Sequence, residues 1–175
     1  ATIEKYFGEW KPNPDIKFLE YEPEQAITTP VQKTVYGLDA EFVMMGWRVP
    51  GANDYLRSEV GDIVGDILYN GQAGLADLNL IQAQKINGFY GFNYTRPDYG
   101  EFMLVGYPRE GQTLDEVRDL MLEQVAKLRS GDFDESLIQS TLNNYKLSNM
   151  RQLEDNSRRA MNFVQSFING HDWKD

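Results

Sequence analysis

The 175-residue chain has no cysteine and one histidine, His171. Without cysteine there can be no disulfide, no thiol nucleophile and no Cys-ligated zinc. A single imidazole cannot supply H-E-x-x-H or its inverted form, both of which need two imidazoles one helical turn apart. His171 lies three residues past the apparent end of the last helix, so it is expected to be an exposed terminal side chain, poorly placed to activate a serine. Long apolar runs are missing too: none approaches the ~20 residues of a membrane span, and no membrane insertion is expected. Positive charge is scarce. The chain has 17 Lys and Arg against 27 Asp and Glu, a net charge of −10, and its one basic pair is Arg158-Arg159. Such a surface repels phosphate backbones and anionic lipid, and no nucleic-acid partner is expected. There is no internal repeat or low-complexity tract. Ala1 to Lys5 reads as chain already inside a fold rather than as a targeting signal.

What is present suits a folded domain. Ten Tyr and nine Phe argue against disorder, and a chain of this length buries roughly 70% of its unfolded surface. Thr2 to Phe7 reads as the last turn of a helix. Pro12, Pro14, Pro23 and Pro30, interleaved with Glu20, Glu22 and Glu24, predict an extended connector over residues 1–30. A domain over 31–175 follows. Val31 to Tyr36 alternates as a strand does, and Ala40 to Val49 is a second, more buried strand, with Gly37-Leu38-Asp39 turning between them. Asn53 is the expected N-cap of a long helix ending near Tyr69, with Leu56, Val60, Ile63, Val64, Ile67 and Leu68 on its apolar face. Asn70-Gly71 closes it, and a shorter helical stretch, Leu75 to Gln82, follows.

Lys85 to Thr95 and Tyr99 to Tyr107 form a second antiparallel pair about the turn Arg96-Pro97-Asp98. Thr113 and Glu116 make a capping box for a helix that Gly131 stops. Asp134 caps another helix running toward Leu153, and a last helix spans about Ser157 to Ile168 before Gly170. Two hairpins separated by helices predict an α+β fold: a mainly antiparallel four-stranded sheet with helices packed on one face.

The candidate chemistry is sparse. Asp62 and Asp66, one turn apart on the long helix, could meet a hard cation, but two carboxylates on a polar face are expected to be solvated. Gly71 and Gly74 are not followed by the Lys-Ser/Thr of a phosphate loop. Gly61 and Gly65 lie inside a helix, where each costs about 1 kcal/mol relative to Ala; close packing against the sheet or a partner would account for them. The segment Gly88 to Gly100 is richest in polar aromatics. Its Tyr94, Arg96 and Tyr99 are the candidate substrate-binding residues, because Tyr and Arg near a turn donate hydrogen bonds and anchor interfaces.

Four stretches carry a resemblance. They are IEKYFGEW (Ile3 to Trp10), FVMMGWRVPGANDYLRSEVGDIVGDILYNGQAGL (Phe42 to Leu75), FMLVGYPREGQTLDEVRDLMLEQVAKLRSG (Phe102 to Gly131) and DFDESLIQSTLNNYKLSNMRQLEDN. Together they resemble the C-terminal, non-catalytic type of domain in the insulinase-like (pitrilysin) zinc metallopeptidases. The resemblance implies an α+β domain that pairs with a zinc-bearing domain or subunit of the same family, the two halves closing around a peptide. It places the zinc in that partner and no metal, cofactor or catalytic residue here, since the helix Asn53 to Tyr69, topological counterpart of the zinc helix, holds no histidine. An Arg/Tyr pair from the non-catalytic half can assist in the family, and Arg96 and Tyr99, with Tyr94, are the candidates for it. The resemblance also implies a chain truncated at its front, lacking a first βα unit. The family's many exported bacterial members point to the periplasm or cell envelope. The alternative is a structural or protein-binding domain of the same fold with no peptidase role; an independent enzyme built on Asp62, Asp66 or the tyrosines is a third possibility.

Overall fold

The computed structural model describes residues 2–17 and 19–174. They fall into two compact units, Ala1–Thr34 and Val35–Asp175. The first unit contains one short helix, α1 (Thr2–Phe7), closed by Gly8 N–H donating to the Glu4 carbonyl at 2.9 Å. The rings of Phe7 and Trp10 meet edge to face at 5.1 Å. Beyond them the described chain has no regular structure, as its prolines predict.

In the second unit, β1 (Val43–Pro50), β2 (Gly88–Thr95) and β3 (Tyr99–Tyr107) form one antiparallel sheet in the order β1-β3-β2. The hairpin β2–β3 pairs from Gly88 with Tyr107 to Thr95 with Gly100, and β1 lies on the other side of β3. The α+β class and the antiparallel pairing agree with the sequence, but the sheet has three strands. Residues 31–36 form no strand. Their alternation allows an extended backbone, yet Val31 and Val35 are both largely exposed, so no buried apolar face fixes a register there.

Alternation along the three strands sorts the sheet into two faces. One face, with Phe89, Gly91, Asn93, Phe102, Leu104 and Gly106, meets helices α2 (Tyr55–Leu68) and α3 (Leu114–Ser130). Gly61 of α2 lies against the Asn93 side chain, Gly65 faces the Phe102 ring, and Val117 and Met121 of α3 sit over Gly106. Of the two glycines inside α2, Gly61 marks the tight approach to β2, while Gly65 has room for a Cβ beside Phe102. Between α2 and β2 lies a π-helix, Asp77–Gln82. The Asp77 carboxylate accepts from Asn70 N–H at 3.0 Å and Gly74 N–H at 2.9 Å, which closes the corner after α2. Ile67, Leu68, Leu80, Phe89, Leu104, Val117 and Met121 form the buried centre; each large side chain there contributes roughly 1.5–3 kcal/mol.

α2 departs from its expected register in two ways. Its N-cap is Asp54, whose carboxylate accepts from Arg57 N–H. Leu56 and Val60, expected on the apolar face, are exposed, while Ser58, Gly65, Ile67 and Leu68 are buried. At the N-terminal half of α2 the side facing β2 carries Ser58 and Gly61, which lie against Thr95 and Asn93, rather than Leu56 and Val60. α3 has the expected capping box: Glu116 N–H donates to Thr113 Oγ1 and Thr113 N–H to Glu116 Oε2. α4 (Ser136–Glu154) packs on α2, and α5 (Asn156–Asn169) follows it.

One junction ties the loops at the end of the sheet. Ala52 N–H donates to the Arg96 carbonyl at 2.8 Å and Asn53 N–H to the Pro97 carbonyl at 3.1 Å. A Cβ on Gly51 would overlap the backbone of Pro97 and Asp98. Gly51→Ala should lower stability by about 3 kcal/mol, whereas Gly37→Ala, in open space, should change it by less than about 0.5 kcal/mol. Thr113→Ala, which removes a cap, should cost about 1 kcal/mol. Urea unfolding of the three variants checks the order.

Candidate functional site

The face of the sheet opposite α2 and α3 carries the sequence candidates. Residues alternating with the helix-facing set are Met44 and Arg48 on β1, Tyr90, Phe92 and Tyr94 on β2, and Tyr99, Glu101 and Met103 on β3. Met44, Tyr90, Phe92, Tyr94 and Tyr99 are all exposed. The Arg96 guanidinium lies 5.5 Å from the centre of the Tyr94 ring, and that of Arg48 lies 5.6 Å from the Tyr99 ring. Cation–π contact of this kind fixes the direction of a long side chain. The turn holds the set together, with Arg96 N–H donating to the Tyr99 carbonyl at 2.8 Å. Tyr94, Arg96 and Tyr99 thus share one end of one face.

Sequence reasoning missed Arg48. Its signal was present, since Arg48 is the one cation in an otherwise apolar strand, but its neighbour across the sheet depends on strand order. Phe92 and Tyr90 extend the same surface away from the turn.

A second polar cluster lies on α2. Glu59 accepts from the Tyr145 hydroxyl of α4. Asp62 accepts from Asn93 Nδ2 at 3.0 Å, and the same amide group reaches the Ser58 carbonyl at 3.3 Å. His171 differs from expectation: it is half-buried, its Nε2 lies 2.6 Å from the Ala52 carbonyl, and its ring is 5.1 Å from that of Tyr55. Because a carbonyl only accepts, Nε2 carries the proton in this contact. The terminal segment therefore docks on the Gly51 junction, 119 residues away in sequence, which no local pattern could reveal.

Asp66 is exposed, as expected, whereas Asp62 is half-buried and engaged by Asn93. Partial burial raises the carboxyl pKa of Glu59, Asp62 and Asp66 above the ordinary range. The charge of Asp62 raises Glu59 and Asp66 further, while His171 opposes the shift at Glu59 and the Asn93 hydrogen bond opposes it at Asp62. These oxygens do not make a zinc site. α2 contains no imidazole, Glu59 and Asp62 are engaged by Tyr145 and Asn93, and no three His, Asp or Glu side chains among the described residues converge as metal ligands.

An antiparallel three-stranded sheet backed on one face by α2 and α3 is the fold whose relatives bear on the class of this domain. The sequence profile of the Peptidase M16 inactive domain matches residues 1–145. The chain belongs to that family, as a domain of its inactive type. No curated protein matches it. Solved structures share its fold at low identity. A protease from Helicobacter pylori superposes with TM-score 0.66 at 17% identity, over 74% of this chain and 31% of that one. The inactive peptidase domain of a protein described as a zinc protease from Bordetella parapertussis gives 0.63 at 17% identity, over 76% and 72%. A protein described as a zinc protease from Bordetella pertussis Tohama I gives 0.65 at 15%, over 79% and 76%. This chain thus spans about a third of the Helicobacter protein and roughly three quarters of the two Bordetella chains.

A carboxyl whose pKa is raised by folding binds its proton more tightly folded than unfolded. Its contribution to stability is full below the ordinary carboxylate range and is lost as pH rises through the raised value. Glu59→Gln, which keeps an acceptor for Tyr145, should therefore raise the thermal midpoint at pH 7, and the gain should shrink toward pH 4. Thermal unfolding at several pH values checks the sign.

Proposed function

We propose that this domain is the substrate-chamber half of a zinc peptidase, contributing to peptide binding while a paired domain or subunit carries the zinc and the chemistry. One observation carries this reading: in a domain of the inactive type, exposed aromatics and two arginines gather on the uncovered sheet face. Tyr94 offers a hydroxyl and Arg96 a guanidinium to peptide carbonyls, Tyr99 stands beside them, and Tyr90 and Phe92 offer flat apolar surface to the peptide's side chains. In the same reading residues 1–30 are the connector and 31–175 the domain.

The test uses the parent protein or the assembled pair. Arg96→Ala and Tyr94→Ala should each raise KM for a peptide about tenfold, the loss expected of an anchor worth 1–2 kcal/mol, with zinc content unchanged. An unchanged KM in both variants would remove the sheet face from the chamber. Zinc bound stoichiometrically by the 175-residue chain alone, measured after dialysis against the metal, would overturn the division of labour. The alternative, a binding domain with no peptidase role, predicts that the parent carries no zinc site.

A further inference from the structure

The last helix ends in a way that aims a side chain. Gly170 closes α5 in the left-handed conformation, with φ 76° and ψ 20°, which glycine takes without a Cβ clash. Its N–H donates to the Phe167 carbonyl at 3.3 Å, and the His171 N–H donates to the Ser166 carbonyl at 3.0 Å. The helix thus still fixes the backbone of His171 after the chain has turned out of it. Two residues on, Trp173 packs edge to face on Phe163 of α5 at 5.0 Å. The segment is therefore held on both sides of the histidine. Its imidazole packs against the Tyr55 ring, and Nε2–H donates to the Ala52 carbonyl at 2.6 Å.

The peptide unit that the imidazole grips also holds the turn between β2 and β3. The Ala52 carbonyl and the Asn53 N–H belong to one trans peptide, so they point in opposite directions. On the far side that N–H donates to the Pro97 carbonyl at 3.1 Å. Imidazole, peptide and turn therefore form one chain of hydrogen bonds. The preceding peptide is engaged at both ends as well: the Gly51 carbonyl accepts from Asp54 N–H at 3.0 Å, and the Ala52 N–H donates to the Arg96 carbonyl at 2.8 Å. Hydrogen bonds in series polarise one another, each strengthening its neighbour by roughly 10–30%. The turn thus rests on the backbone of Ala52 and Asn53 through the carbonyls of Arg96 and Pro97, and His171 braces that backbone from behind. The Arg96 guanidinium hangs from this turn and lies over the Tyr94 ring, so a shift of the turn carries it away from the ring.

We propose that His171 is a positioning residue for the peptide-binding end of the sheet face: acting through the Ala52–Asn53 peptide, it holds the turn that presents Arg96 beside Tyr94 and Tyr99. The inference rests on the reading of that face as peptide-binding. It gives the end of α5 a part in recognition that passes through the backbone of the Gly51 junction.

Three variants separate the hydrogen bond from the packing. His171→Phe keeps a ring against Tyr55 and removes the donor. His171→Gln carries an amide nitrogen as many bonds from the backbone as Nε2, whereas in His171→Asn the nitrogen takes the place of Nδ1. In the 175-residue chain, amide hydrogen exchange at Asn53 should quicken about fivefold in the Phe and Asn variants and return to the native rate in the Gln variant, with Val117 and Met121 of α3 unchanged. In the parent protein or the assembled pair, His171→Phe should raise KM for a peptide about threefold, with kcat and zinc content unchanged, and His171→Gln should restore it. In an Arg96→Ala background His171→Phe should add nothing, because residues that act through one another are not additive. A native Asn53 rate in His171→Phe, an equal rise at Asn53 and in α3, or an undiminished KM effect in the Arg96→Ala background would overturn the proposal. An unchanged KM in Arg96→Ala alone would instead remove the reading of the sheet face, and the Asn53 rate would still decide whether His171 holds the turn.

Discussion

The contact on which the second unit most depends is the backbone junction at Gly51. Two peptide N–H groups, of Ala52 and Asn53, donate to the carbonyls of Arg96 and Pro97, and they can do so only because residue 51 has no side chain. The junction fixes where β1 ends and α2 begins. It also fixes the turn that sends Tyr94, Arg96 and Tyr99 to one end of the sheet. The carbonyl of Ala52 is what His171 engages. A backbone-to-backbone contact of this kind depends little on side-chain identity apart from the glycine, so the polar face beside it is free to vary.

Glycine serves a related purpose inside the core. Gly61 brings α2 down onto Asn93 of β2, and Gly106 lets Val117 and Met121 of α3 reach the same layer. Close approach has an electrostatic consequence. It draws the acidic side of α2 partly out of water, which is why three carboxyls there hold their protons more tightly than usual. The polar groups of α2 engage Tyr145 and Asn93.

Much of this was legible in the residues themselves. The capping box Thr113/Glu116, the strand Tyr99–Tyr107 and the stop at Gly131 are all local statements, and local propensity and spacing decide them. What could not be read depends on contacts between distant segments. Val31 to Tyr36 has strand periodicity but no partner among the described residues. Leu56 and Val60 have helical periodicity but face water, because the glycines outrank them for the sheet side. Arg48 joins Tyr99 only through the order β1-β3-β2. Of the candidate site, Tyr94, Arg96 and Tyr99 could be named from composition near a turn; that they share a face with Arg48, Tyr90 and Phe92 is a property of the register.

The lone histidine has a use beyond its hydrogen bond. Its imidazole bridges the terminal segment and the loop at Gly51, and no other imidazole exists in the chain. Its ring protons would therefore give one resolved pair of resonances in a proton NMR spectrum, shifted by the adjacent Tyr55 ring. A single line thereby reports whether the most distant parts of the second unit are in contact, and it would move on loosening of the junction before the helices themselves melt.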